Sequence, residues 1–154
     1  MAIRNIRKYP DEILNKKSRE VRIFDDKLHT LLDDMKETMY QANGAGLAAV
    51  QVGILKRVVV VDDGNGLIEL INPVIVLEEG EQVGPEGCLS FPGKWGEVAR
   101  PNHVKVKAKD RNGKVVYYEG EGLLARAFCH ELEHLDGKNF TMKVIRYYDA
   151  EDQE

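Results

Sequence analysis

From Phe24 onward the apolar side chains fall at Leu28, Leu31, Leu32, Met35 and Met39. This i, i+3, i+4, i+7 spacing draws one apolar stripe along a helix. Asp25 or Asp26 can cap its start, and Asn43 with Gly44 can end it. Met35 and Met39 lie on the stripe and read as core filling. After the glycine-rich GAGLAAVQVG the period shortens: RVVVV, GLIELINPVIVL, HVKVKAKD and KVVYYEG are β-branched or alternating runs. Asp63-Gly64-Asn65-Gly66 and Asn112-Gly113 interrupt them, and the second break is a hairpin signal. Gly122 then opens LLARAFCHELEHLDG, a helical run with Leu124, Ala127, Phe128 and Leu135 as its apolar positions and Gly137 as its stop. Past Ile145 the acidic RYYDAEDQE has no sustained period, so a disordered tail is predicted over roughly 147–154. No repeat, linker or low-complexity block divides the chain. The pattern predicts one α+β domain over 1–154: an N-terminal amphipathic helix, then antiparallel strands packed around a buried C-terminal helix.

Composition narrows the class. With 154 residues, the chain can bury roughly 70% of its unfolded surface and needs no staples. No stretch is apolar for long enough to span a membrane. The start, MAIRNIRKYPDEIL, has no apolar core of signal-peptide length, so a cytoplasmic protein without a signal or transit peptide is expected. Cys88 and Cys129 are then expected as thiol, metal ligand or core rather than as a disulfide. The net charge of -4 gives no footprint for nucleic acid. Lys105, Lys107, Lys109 and Arg111 alternate along a strand and read as a solvated face.

The chemistry concentrates in CHELEHLDG. On a helix, His130 and His134 share a face one turn apart and can aim at one point, with Glu131 beside them. This is the HExxH arrangement, in which two imidazoles bind a metal and the glutamate takes a proton from water. A catalytic site normally needs a third protein ligand. HExxHxxG continues towards the metzincin pattern, but Phe140 stands where the third histidine would be, which excludes that family. Glu151 and Glu154 lie in the predicted tail, while His29 and His103 read as surface or boundary residues. Cys88, in the irregular PEGCLSFPG, makes with two imidazoles a reasonable set for Zn²⁺ or Fe²⁺. On composition alone the third ligand stays open.

Three segments settle the comparison. GAGLAAVQVG (Gly44 to Gly53), EGCLSFP (Glu86 to Pro92) and HELEHLDG (His130 to Gly137) stand in the order and approximate spacing of the signature motifs of peptide deformylases. The chain resembles that family up to about Ile145. The resemblance implies Cys88, His130 and His134 as metal ligands and Glu131 as general base. It also implies one divalent metal per chain, Fe²⁺ in the cell, with Zn²⁺, Ni²⁺ or Co²⁺ able to replace it in purified protein. The Gln51 side chain and the Leu89 backbone N–H become the oxyanion donors. Ala45, Gly46 and Gly87 become the positions that bind an extended peptide, and Leu123 and Ala127 become walls of a methionine pocket with Arg126 at its rim. The implied reaction removes the formyl group from the N-terminal formyl-methionine of new polypeptides and releases formate. Nascent N-formylmethionyl chains at the ribosome are the expected partners of a monomeric enzyme.

Three positions depart from the family's pattern. Cys129 replaces a common glutamine, Glu133 a common aspartate, and Arg126 is more polar than a methionine pocket calls for. Helix geometry turns Cys129 away from the metal face, so core packing is expected for it. Two other functions share parts of this pattern: an HExxH-type metallopeptidase cleaving internal amides, and a non-catalytic metal-binding relative. Gln51 and Cys88 in their motifs argue against the first, and intact Glu131 and Gln51 against the second.

Overall fold

A computed structural model describes residues 2–148. The Asp25 carboxylate accepts a hydrogen bond from the Leu28 amide (3.1 Å) and so caps α1, Asp26–Gln41. The stripe from Leu28 to Met39 is buried. Asp34 is buried with it because its carboxylate accepts from the Ala2 amide (2.7 Å) and from Arg4 Nε (2.9 Å). Asn43 follows the helix with φ 57°, a left-handed conformation that asparagine tolerates after a helix end.

The strands, in chain order, are β1 (Gly46–Ala48), β2 (Val58–Val61), β3 (Ile68–Glu79), β4 (Gln82–Gly87), β5 (Trp95–Arg100), β6 (His103–Lys109), β7 (Val115–Glu121) and β8 (Arg146–Tyr147). They form two antiparallel sheets, ordered β1-β2-β3-β6-β7 and β4-β5-β8. β2 explains the uninterrupted valine run. Val58 and Val60 pack with the α1 stripe, whereas Val59 and Val61 pack with Ala125, Phe128 and Leu135 of the C-terminal helix α2, Leu123–Leu135. A strand covered on both faces has no polar side to show. The Asn112-Gly113 turn joins β6 to β7, where Asp110 Oδ1 accepts from the amides of Asn112 (2.9 Å) and Lys114 (3.0 Å).

Two expectations are corrected. PEGCLSFPG is not irregular throughout, because Pro85 to Gly87 belong to β4, which pairs with β5 residue by residue. As an edge strand, β4 tolerates a proline that cannot donate to a neighbour. The first positions of the predicted tail are paired: Arg146 and Tyr147 pair with Glu97 and Gly96, and the Tyr148 amide donates to Trp95 O (2.8 Å). The remaining positions of the expected tail, 149–154, lie outside the described residues.

Within α2, every position from Ala125 to Leu132 is buried, and so are His134 and Leu135. Its end is fixed by Gly137 (φ 73°), where an added Cβ would stand 2.5 Å from Asn15 O. Only glycine lets the chain turn this close to the N-terminal segment. Among the described residues, no helix is long and apolar enough to cross a membrane.

Candidate active site

The turn after β4 and the middle of α2 converge. Cys88 Sγ lies 3.3 Å from His134 Nε2. One donor atom each from Cys88, His130 and His134 falls within 4.8 Å of the others. Donors bonded tetrahedrally to one metal at roughly 2.0–2.3 Å stand about 3.5 Å apart, so the Cys88–His134 pair already has that spacing and the third donor lies close to it. His130 Nδ1 already faces Glu86 Oε2 at 2.7 Å, so its Nε2 is the nitrogen left for the site. The buried Oε1 of Glu131 has no hydrogen-bond partner among the described residues. A soft thiolate, two imidazoles and an adjacent unsatisfied carboxylate fit a divalent transition metal.

The electrostatics follow from burial and neighbours. Burial pushes the Glu131 carboxyl up to about 7. Burial would also raise Glu86, but His130 and Arg100 outweigh it and hold that carboxyl at about 2. Burial, with help from His130, lowers the pKa of His134 and keeps it neutral, the form in which imidazole binds metal. For His130, burial opposes charge, yet Glu131, Cys88 and Glu86 together favour the imidazolium.

Gln51 is oriented by the turn that carries it. The Ala48 amide donates to its Oε1 (2.9 Å), which leaves Nε2 to donate to Ser90 Oγ (3.0 Å) and to approach Cys88 Sγ (3.6 Å). The side-chain amide therefore presents its N–H groups to the metal-ligand cluster.

Ala45, Gly46, Gly87, Cys88, Leu89, Leu123, Ala127, His130 and Glu131 line a single cavity of about 590 Å³. Gln51 and His134 do not line it but contact Cys88 Sγ, which does. The cavity runs between β1 and β4, each the edge strand of its sheet. A Cβ on Gly46 would lie 2.6 Å from Glu131 Oε2, so glycine there lets β1 approach the carboxylate.

A family model of polypeptide deformylases matches residues 3–149. The chain belongs to the peptide deformylase family. It is 61% identical over 154 residues to a peptide deformylase of Caldicellulosiruptor bescii, covering 100% of this chain and 93% of the relative. It superposes on the crystal structure of the Thermotoga maritima peptide deformylase with TM-score 0.91 and 41% identity, covering 94% of this chain and 99% of that one. The Legionella pneumophila deformylase gives TM-score 0.90 at 46% identity, over 93% of this chain and 86% of that one. As a metal-dependent deformylase, the protein removes the formyl group from the N-terminal methionine of newly synthesised polypeptides.

The positions that depart from the family's pattern have identifiable partners. Arg126, expected at the pocket rim, does line the cavity, but it is buried and its guanidinium turns to Glu86 (2.9 Å) and Val98 O (3.1 Å). Leu123, at 56% exposure, forms the outer part of the same wall. Cys129 packs in the core beside Ala125 and Phe128, and burial pushes its thiol up to about 11. Glu133 pairs with Arg100 (2.9 Å) and Lys143 (2.7 Å). Sequence reasoning missed Glu86, Ser90 and Arg100. Glu86 had a usable signal: it lies two residues before Cys88, where a carboxylate can orient a metal-binding imidazole.

Proposed function

We propose that Cys88, His130 and His134 hold one divalent ion, that Glu131 moves the proton, and that Gln51 and the Leu89 N–H stabilise the oxyanion during deformylation. The observation carrying this assignment is the cluster of three donor atoms within 4.8 Å beside a buried, unpartnered Glu131 oxygen. When bound, the ion supplies a Lewis acid that lowers the pKa of water towards neutrality and polarises the formyl carbonyl. Glu131 accepts a proton from the attacking water and returns it to the departing amine nitrogen. Gln51 Nε2 and the Leu89 N–H donate to the oxygen as it becomes negative, and each such donor is worth on the order of 10²–10³ in rate. Ala45, Gly46 and Gly87 bind the peptide backbone as an added strand between β1 and β4. The methionine side chain enters the pocket walled by Leu123 and Ala127.

The thiolate and imidazoles accept Fe²⁺, Zn²⁺, Ni²⁺ or Co²⁺. We assign Fe²⁺ in the cell on the family resemblance. All proposed ligands and donors come from one chain, which supports action as a monomer. A nascent chain as substrate supports work in the cytoplasm near the ribosome. The test is formate release from a formyl-methionyl peptide by protein prepared without oxygen, compared with Glu131→Ala. Loss of turnover with one metal per chain retained is expected. Equal turnover in the variant would remove Glu131 from its role, and cleavage of unformylated peptides would favour a metallopeptidase.

A further inference from the structure

One carboxylate ties β4 to α2. Glu86 is 4% exposed, and its two oxygens meet three side chains. Arg100 donates from Nε to Oε1 (3.0 Å) and from Nη2 to Oε2 (2.6 Å). His130 Nδ1 stands 2.7 Å from Oε2, and Arg126 Nη1 donates to Oε1 (2.9 Å). A bidentate arginine already neutralises a carboxylate. The second guanidinium therefore calls for another explanation.

Arg126 lies four residues before His130, so both project from the same face of α2 and reach the same carboxylate. Its Nη2 donates to Val98 O on β5 (3.1 Å), which anchors the side chain at both ends. Arg100 divides its charge between Glu86 and Glu133, and Lys143 draws on Glu133 as well. Arg126 gives its charge to Glu86, and its 7% exposure keeps that pair out of water.

We propose that Arg126 is a positioning residue for the metal centre. By holding Glu86 Oε1 against β5, it keeps Oε2 where it fixes His130 with Nδ1–H towards the carboxylate and Nε2 towards Cys88 and His134. The inference rests on His130 being a metal ligand, as assigned above. It differs in sign from a pure charge effect. Deleting a cation near a cation site tightens metal binding through electrostatics alone, whereas loosening Glu86 weakens it.

The experiment titrates metal-free, full-length Arg126→Met with Co²⁺ against a competing chelator. The cobalt absorption bands, including the thiolate-to-metal band, are recorded at each point. Binding about tenfold weaker than in the unmodified protein is expected, in the range found for partners of metal-binding histidines. The cobalt bands should change, and kcat of the loaded variant should fall more than KM rises. Arg126→Lys, still able to reach Glu86, should recover most of the affinity. Equal or tighter Co²⁺ binding with unchanged bands in Arg126→Met overturns the inference, as does a rise in KM alone, which would make Arg126 a pocket wall. His130→Ala is the reference. If it binds Co²⁺ as the unmodified protein does, the ligand assignment falls and this inference with it; if it loses Co²⁺ while Arg126→Met keeps it, only this inference falls. Should Arg126→Met lose its cooperative melt, Arg126→Gln carries the same test.

Discussion

Gly46→Ala adds one methyl group beside the proposed base. A Cβ at that position falls 2.6 Å from Glu131 Oε2, 2.8 Å from Cγ and 3.0 Å from Cδ. Non-bonded heavy atoms settle at roughly 3.5–4.0 Å, so the carboxylate has to retreat by about 1 Å. α2 cannot move to help, because its buried positions pack against β1 and β2. Gly46 is not among the residues with positive φ, so alanine causes no backbone strain there and the side-chain contact is the whole perturbation. A displacement of about 1 Å in a reacting group costs on the order of 10²-fold. Formate release from a formyl-methionyl peptide, measured without oxygen, should show kcat reduced by about that factor. Metal content and melting temperature of the same sample should stay near those of the unmodified protein. A kcat within about threefold of the unmodified protein would show that Glu131 is not held where the close approach of β1 puts it.

The remaining predictions separate site from scaffold. Cys88→Ser should lose or exchange the metal, because a hydroxyl is a poor substitute for a thiolate, while Cys129→Ala should keep a full complement; elemental analysis of both decides. Phe140→Ala empties a fully buried position packed on Phe91 and His130, and should cost about 3–5 kcal/mol in urea unfolding. A loss below about 1 kcal/mol would mean the site collapses to fill the gap. For Asp34, burial raises the carboxyl pKa, but the Ala2 amide and Arg4 outweigh it and leave it below the ordinary value. Its stabilisation is therefore complete above the unfolded carboxylate pKa of about 4 and is lost as pH falls through the lower folded value. The melting-temperature gap between Asp34→Asn and the unmodified protein should shrink on acidification, and a constant gap would refute the sign.

What the sequence disclosed depended on how local each signal is. The α1 stripe, the Asn112-Gly113 turn and the extent of α2 are set by neighbours within a turn or a hairpin, and each was legible. The HExxH spacing was legible for the same reason, since i and i+4 positions meet whatever surrounds the helix. β4 and β8 were not. Gly84, Pro85 and Gly87 are weak strand formers, and they form a strand because β5 supplies the partner. The ion pair of Arg126 was not legible because its partner lies 40 residues away, and a lone arginine in an apolar helix reads only as a rim residue until Glu86 is seen beneath it.

The two sheets meet at the cavity through strands that each lack a neighbour on that side. An unpaired edge inside a groove leaves backbone N–H and C=O groups to be satisfied by water or by a visiting chain. β1 has three residues and β4 carries two glycines and a proline, so neither edge is built to recruit a permanent partner. An extended peptide can satisfy both edges at once through its backbone, which makes that part of recognition indifferent to its later side chains. Selectivity is then left to the one end that reaches the Cys88, His130 and His134 cluster. A substrate defined by its terminus and not by its sequence suits a protein that removes the formyl group from an N-terminal methionine.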